Sequence, residues 1–146
     1  MACPALPTCG QAVTESERVL PSVADQIQRT WNAAGMYGEP LCVRMTGCPN
    51  GCARPYTAEI GIVGQSKDLY SLYLGGSPLG TRLAELLCHE VKLEQIAAML
   101  SPIFAQYAVE RGTGERFGDW AARIGVARLR DGYASYDGAA AKEMLV

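Results

Sequence analysis

The sequence has a single histidine, two phenylalanines and two tryptophans among 146 residues, and no apolar run near the roughly 18 residues that a bilayer span requires. A membrane partner is therefore not expected. The sequence also lacks a concentration of positive charge: its net charge is −2, and the 13 lysines and arginines are scattered along the chain. That removes the electrostatic footprint of a nucleic-acid-binding protein. Met1 to Gly10 has neither the basic n-region nor the apolar h-region of a secretory signal, so a cytoplasmic location with reduced cysteines is expected. No internal repeat is present at a period of 20–50 residues. What remains is 49% hydrophobic and 19% charged, which excludes a disordered tail. It suits one soluble domain burying about 68–70% of its unfolded surface.

Periodicity predicts an α+β domain. Thr14-Glu15-Ser16-Glu17 has the form of a capping box, predicting a short turn over 15–19 and a helix over about 21–34. Val23, Ile27, Thr30 and Trp31 would form its buried stripe, and Gly35 its end. Strands are predicted near 41–46, 58–63 and 70–74, the last two joined as a hairpin by a long loop over 64–69. A glycine-rich loop follows over 75–81. Leu93, Ile96, Ala97, Leu100, Ile103, Phe104 and Tyr107 mark one face of a helix near 93–110, in which Pro102 predicts a kink or break. A short helix is expected around 117–124. The architecture is a small, mostly antiparallel sheet with helices packed on one face and the cysteine loops gathered at one edge. Residues 1–126 form the domain and 127–146 a loose tail. The lone His89, in Cys88-His89-Glu90, reads as a surface or packing residue.

The chemistry lies in the six cysteines. Cys3 and Cys9 form C-x5-C, and Cys48 and Cys52 form C-x3-C, both within Pro/Gly-rich loops. Thiolates are soft ligands, and an iron–sulfur cube needs four converging from directions that one helix or strand cannot supply. Gly10, Gly47 and Gly51 beside them permit unusual backbone angles and let amide N–H groups approach sulfur. Structural zinc is the competing reading, although C-x5-C fits the usual C-x2-4-C arms poorly, and disulfides or free thiols are a third. Spacing alone leaves these open. Cys42, in a strand, and Cys88, in Leu86-Leu87-Cys88, read as small buried hydrophobes.

The wording of these segments is more specific than their spacing. Cys3-Pro4-Ala5-Leu6-Pro7-Thr8-Cys9-Gly10, Thr14-Glu15-Ser16-Glu17-Arg18, Arg44-Met45-Thr46-Gly47-Cys48-Pro49-Asn50-Gly51-Cys52-Ala53-Arg54-Pro55, Ala58-Glu59-Ile60-Gly61, Leu74-Gly75-Gly76-Ser77-Pro78-Leu79-Gly80-Thr81-Arg82 and Phe117-Gly118-Asp119-Trp120 together resemble the C-terminal part of the siroheme and [4Fe–4S] nitrite/sulfite reductase family, most closely its sulfite-reducing hemoprotein branch. The resemblance runs from Cys3 to about Gly125. It implies that Cys3, Cys9, Cys48 and Cys52 bind one [4Fe–4S] cluster and that Cys52 is also the axial thiolate of siroheme, the catalytic position. Direct bonding of an electron store to the substrate-binding iron would serve the six-electron reduction of sulfite to sulfide. Thr46, Asn50 and Gly51 would then donate hydrogen bonds to the cluster or to siroheme carboxylates, or only shape the turn. Arg54 would clamp a siroheme carboxylate. Arg82 and the glycine loop 75–80 are weaker candidates.

Members of that family are several times longer. The basic cluster that holds their sulfite or nitrite is expected in the missing N-terminal half, so this chain alone is not expected to be a competent enzyme. Its start two residues before the first cysteine suggests a truncated frame, one product of a split gene or an excised fragment. The expected partners are that missing half and a flavoprotein or ferredoxin electron donor. Two other classes compete: a stand-alone [4Fe–4S] electron-transfer module and a structural zinc domain.

Overall fold

The computed structural model describes residues 1–132. Its elements are helix α1 (Leu20–Ala33), strand β1 (Val43–Thr46), a 3-10 turn (Pro55–Thr57), strands β2 (Ile60–Ser66), β3 (Leu69–Leu74) and β4 (Glu85–Val91), and helices α2 (Leu93–Glu110) and α3 (Phe117–Ile124). The four strands lie in the order β1-β2-β3-β4. β1 runs parallel to β2, whereas β2, β3 and β4 are antiparallel neighbours, so the sheet is mostly antiparallel as expected.

Alternation divides the sheet into two faces. Met45, Ile60, Ile62, Tyr70, Leu72, Leu74, Leu87 and Val91 belong to one buried core with Val23, Ile27 and Trp31 of α1 and the apolar stripe of α2. Trp31 centres that core: it stacks on Tyr107 at 5.4 Å and meets Phe104 edge-on at 4.9 Å. On the other face Gly61 admits the 3-10 turn so closely that a Cβ there would stand 2.4 Å from the Pro55 carbonyl oxygen. Glu59, 1% exposed, accepts hydrogen bonds from the Cys42 amide, the Arg116 guanidinium and the Gly118 amide. It joins the approach to β1 to the start of α3.

Several expectations change. Thr14 caps no helix: α1 begins at Leu20 with Pro21 in its first turn, and the Thr14 and Ser16 hydroxyls donate instead to the carbonyls of Gly47 and Met45. Those distant carbonyls outcompete the local amides because the segment is pressed against the end of β1. Thr30, expected in the buried stripe, is only partly buried and bonds back to the Gln26 carbonyl. The long hairpin loop is a two-residue turn at Lys67-Asp68, with Asp68 at φ +59°. A register slip between Gly64 and Ser66 breaks the alternation that would have marked the strand's true end. Strand β4 was not expected, and slips on both sides of Leu72 in its pairing again hide a period of two. Helix α2 continues through Pro102, because the carbonyl that proline leaves without a donor, four residues back, belongs to solvent-exposed Ala98. Of the segment 127–146, residues 127–132 are helical, with Leu129 buried and Arg130 donating to the carbonyls of Leu86 and Leu87. The remainder lies outside the described residues. Among the described residues no helix is long and apolar enough to cross a membrane.

Candidate metal centre

The site is built where the N-terminal arm meets the end of β1. Residues 1–3 lie parallel to β1 as an added edge: Met45 N–H donates to the Met1 carbonyl at 3.0 Å, and Cys3 N–H donates to the Met45 carbonyl at 3.2 Å. This pairing ties down a terminus that would otherwise fray. The arm then loops over Gly47, whose carbonyl accepts from the amides of Val13 and Thr14. Gly47 is a steric necessity here. A Cβ on it would lie 2.5 Å from the Ala5 Cβ and 2.7 Å from the Thr14 carbonyl oxygen. Ala5, wholly buried, takes a left-handed conformation at φ +53° to pass beneath it. The Gly47 amide in turn donates to the Cys3 Sγ at 3.3 Å.

The second cysteine pair lies on the loop leaving β1. Thr46 Oγ1 donates to the Cys48 carbonyl at 3.2 Å, and Gly51 turns the chain at φ +70°. Arg54, also left-handed at φ +57°, ends the loop, and its carbonyl accepts from Arg44 Nη1 and from Thr57 Oγ1.

Between arm and loop lies a cavity of about 150 Å³, lined by all four cysteines of the two loop pairs, with Pro4, Ala5, Gln11, Ala12, Thr46, Gly47 and Asn50. A cavity of about that size accommodates a benzene ring in other proteins, so a compact inorganic cube is commensurate with it. The lining carries no Asp, Glu, Lys, Arg or His, and soft sulfur is its only strong ligand. Among the described residues, no three His, Cys, Asp or Glu side chains are grouped so as to hold one metal ion. Cys48 is buried, Cys3 and Cys9 partly so, and Cys52 is exposed to the outside.

The expected secondary residues separate. Thr46 and Asn50 line the cavity. Gly51 does not; it is the space into which Tyr56 packs, with a Cβ there 2.8 Å from Tyr56 Cε2. The Arg54 side chain is exposed near the 75–84 loop, Nη2 standing 3.9 Å from where a Gly80 Cβ would be. Arg82 is engaged elsewhere: it donates to the Gly75 carbonyl and pairs with Asp119 at 2.8 Å, fastening the glycine loop to α3. His89 is exposed on β4, with Nδ1 2.7 Å from Ser71 Oγ. Cys42 and Cys88 lie outside the cavity lining. Burial pushes the Cys88 thiol up to about 11, keeping it protonated and a poor ligand. Ser16, Arg44 and Glu59 had no local signal in the sequence, since each acts on a residue brought near only by the fold; Tyr56 had none either, although its partner Pro49 is only seven residues back.

The chain belongs to the nitrite and sulphite reductase 4Fe-4S domain family, whose family model matches residues 1–139. It is 49% identical over 138 residues to the sulfite reductase [NADPH] hemoprotein beta-component of Methylobacterium nodulans, covering 94% of this chain and 23% of that protein. It is also 49% identical over 142 residues to the sulfite reductase [ferredoxin] of Synechococcus elongatus, covering 97% and 23%. Among solved structures it resembles the Mycobacterium tuberculosis NirA protein, with a TM-score of 0.74 and 26% identity over 88% of this chain and 26% of that one. The chain thus spans about a quarter of the length of these relatives.

Proposed function

We propose that Cys3, Cys9, Cys48 and Cys52 hold a [4Fe–4S] cluster, and that Cys52 also bridges to the iron of siroheme, making this chain the cluster-bearing part of a sulfite reductase. The carrying observation is that two cysteine pairs nearly forty residues apart line one uncharged cavity of suitable size. The C-x5-C arm of Cys3 and Cys9, which lies outside the C-x2-4-C spacing of structural zinc sites, favours a cluster over zinc. The exposure of Cys52 favours a thiolate shared with a second group over an electron-transfer module complete in itself. The bound groups would supply electrons and an iron for sulfite to bind.

The chain's own contribution is to place four sulfurs in a lining without charged side chains and to donate the Gly47 amide to Cys3 Sγ. Such a bond stabilises the electron-rich sulfur and tunes the potential. Arg54, whose side chain has no partner among the described residues and which is close to Cys52 in sequence, would meet a carboxylate of the macrocycle. Thr46 and Asn50 would face the cluster, and Gly51 would shape the loop beneath it. Reduction of sulfite to sulfide requires the remaining part of the reductase, which would supply the positive charge that the oxyanion needs. A flavoprotein or a ferredoxin would deliver the electrons in a reducing, cytoplasmic setting.

Anaerobic reconstitution with iron and sulfide tests the reading. Four irons and four sulfides per chain are expected, with a cluster absorbance lost in Cys48→Ser and siroheme uptake lost in Cys52→Ser. Zinc without iron or sulfide in the purified chain would refute it.

A further inference from the structure

We propose that Tyr56 is the positioning residue for the loop that carries Cys48 and Cys52. The inference rests on those two cysteines being cluster ligands and adds a residue that holds them in place.

Few bonds hold the middle of the loop: the Gly51 carbonyl accepts from the Arg54 amide at 2.8 Å, but the Pro49–Asn50 stretch has no backbone partner of its own among the described residues. Pro49 and Asn50 are exposed, and the Gly51 amide reaches the Cys48 carbonyl only at 3.4 Å. Its two ends are fixed, by Thr46 Oγ1 on the Cys48 carbonyl and by Arg44 Nη1 on the Arg54 carbonyl. Between them, one side chain reaches back: the Tyr56 hydroxyl donates to the Pro49 carbonyl at 2.8 Å. The ring of the same tyrosine fills the space under Gly51, so both the carbonyl after Cys48 and the residue before Cys52 rest on one phenol.

Tyr56 is itself immobilised. Its carbonyl accepts from Ala84 N–H at 2.7 Å, it belongs to the Pro55–Thr57 3-10 turn packed on Gly61, and Tyr73 meets its ring edge-on at 5.2 Å and 87°. A rigid aromatic anchored on the sheet, with one hydrogen bond to a ligand loop, is how an outer residue sets the direction of a metal ligand. Loss of the hydroxyl would free the Pro49 peptide to rotate and let the two sulfurs drift, while the ring would still support Gly51.

The whole 146-residue chain is reconstituted anaerobically with ferrous iron and sulfide as wild type, Tyr56→Phe, Tyr73→Phe and Cys48→Ser. Iron and sulfide content, the rate of iron release to a chelator and the electron paramagnetic resonance spectrum after dithionite reduction are recorded. Tyr56→Phe is expected to load like wild type but to release iron about fivefold faster, the worth of one net hydrogen bond, and to show a changed spectrum. Tyr73→Phe, which keeps the ring contact, is expected to match wild type in both. A Tyr56→Phe chain with wild-type release and spectrum would overturn the positioning role, and so would equal acceleration in Tyr73→Phe. In either case the loss of iron in Cys48→Ser would leave the ligand assignment standing. Full iron retention by Cys48→Ser would overturn both.

Discussion

Replacing Gly47 by alanine tests the contact that closes the arm onto β1. The added Cβ would stand 2.5 Å from the Ala5 Cβ and 2.7 Å from the Thr14 carbonyl oxygen, so these groups must retreat by about 1 Å to reach ordinary packing distances. Ala5 is wholly buried and already at φ +53°, and the Thr14 and Val13 amides are bonded to Gly47 itself. The arm cannot adjust without losing those bonds. Overpacking of this kind costs about 1–3 kcal/mol, which for a chain of this size lowers the melting temperature by roughly 2–4 °C per kcal/mol. The same shift stretches the 3.3 Å contact from the Gly47 amide to Cys3 Sγ and displaces one of the four sulfurs. The assay pairs thermal unfolding of the metal-free chain, followed by circular dichroism, with iron content after reconstitution. Gly10→Ala is the control: it also adjoins a cysteine, but a Cβ there meets nothing within 4 Å, so a change within about 0.5 kcal/mol is expected. Gly47→Ala with unchanged melting temperature and full iron would refute the steric reasoning, as would equal damage from Gly10→Ala.

Further outcomes follow from other parts of the fold. Glu59→Gln should cost about 3 kcal/mol in urea unfolding, because a buried carboxylate with four donors on it is replaced by an amide that cannot accept from all of them. Asp119→Asn, at the exposed pair with Arg82, should cost less than about 1 kcal/mol, and equal losses would sink the distinction. Glu115 is held at about 2, below the ordinary carboxylate value of 4.5, first by its hydrogen bonds from Arg123 and then by the Gly112 amide. Its carboxylate is therefore favoured by folding, and its contribution is complete above about pH 4.5 and fades as the pH falls toward 2. Stability of wild type relative to Glu115→Gln, measured across that window, should shrink with acidification, and a constant difference would contradict the shift. Cys42→Ser and Cys88→Ser should load iron like wild type, since neither side chain lines the cavity. A drop in iron content for either would point to a different ligand set.

Much of this protein was legible before folding was considered. Helices α1, α2 and α3 follow from apolar spacing and from the breaks at Gly35 and Gly112–Gly114, because a helix face and its stop are written within a few neighbouring residues. The two cysteine pairs were legible for a similar reason: each lies in a short Pro/Gly-rich word whose composition rules out regular structure. Local signals misled where a distant group competed for the same atoms. Thr14 and Ser16 have the chemistry of caps, yet the carbonyls of Gly47 and Met45 take their hydroxyls. β4 and the hairpin end were lost because bulged pairing erases alternation.

Sequence alone marked the two loop-borne cysteine pairs and the positions of the helices, since these depend on residue type and short-range spacing. The tertiary structure alone decided that the arm pairs with β1 and that Gly47 rather than Gly10 is sterically indispensable. Each of these is a contact between atoms far apart along the chain, and such contacts are set by how strands and loops stack in space, which no local pattern of residues encodes.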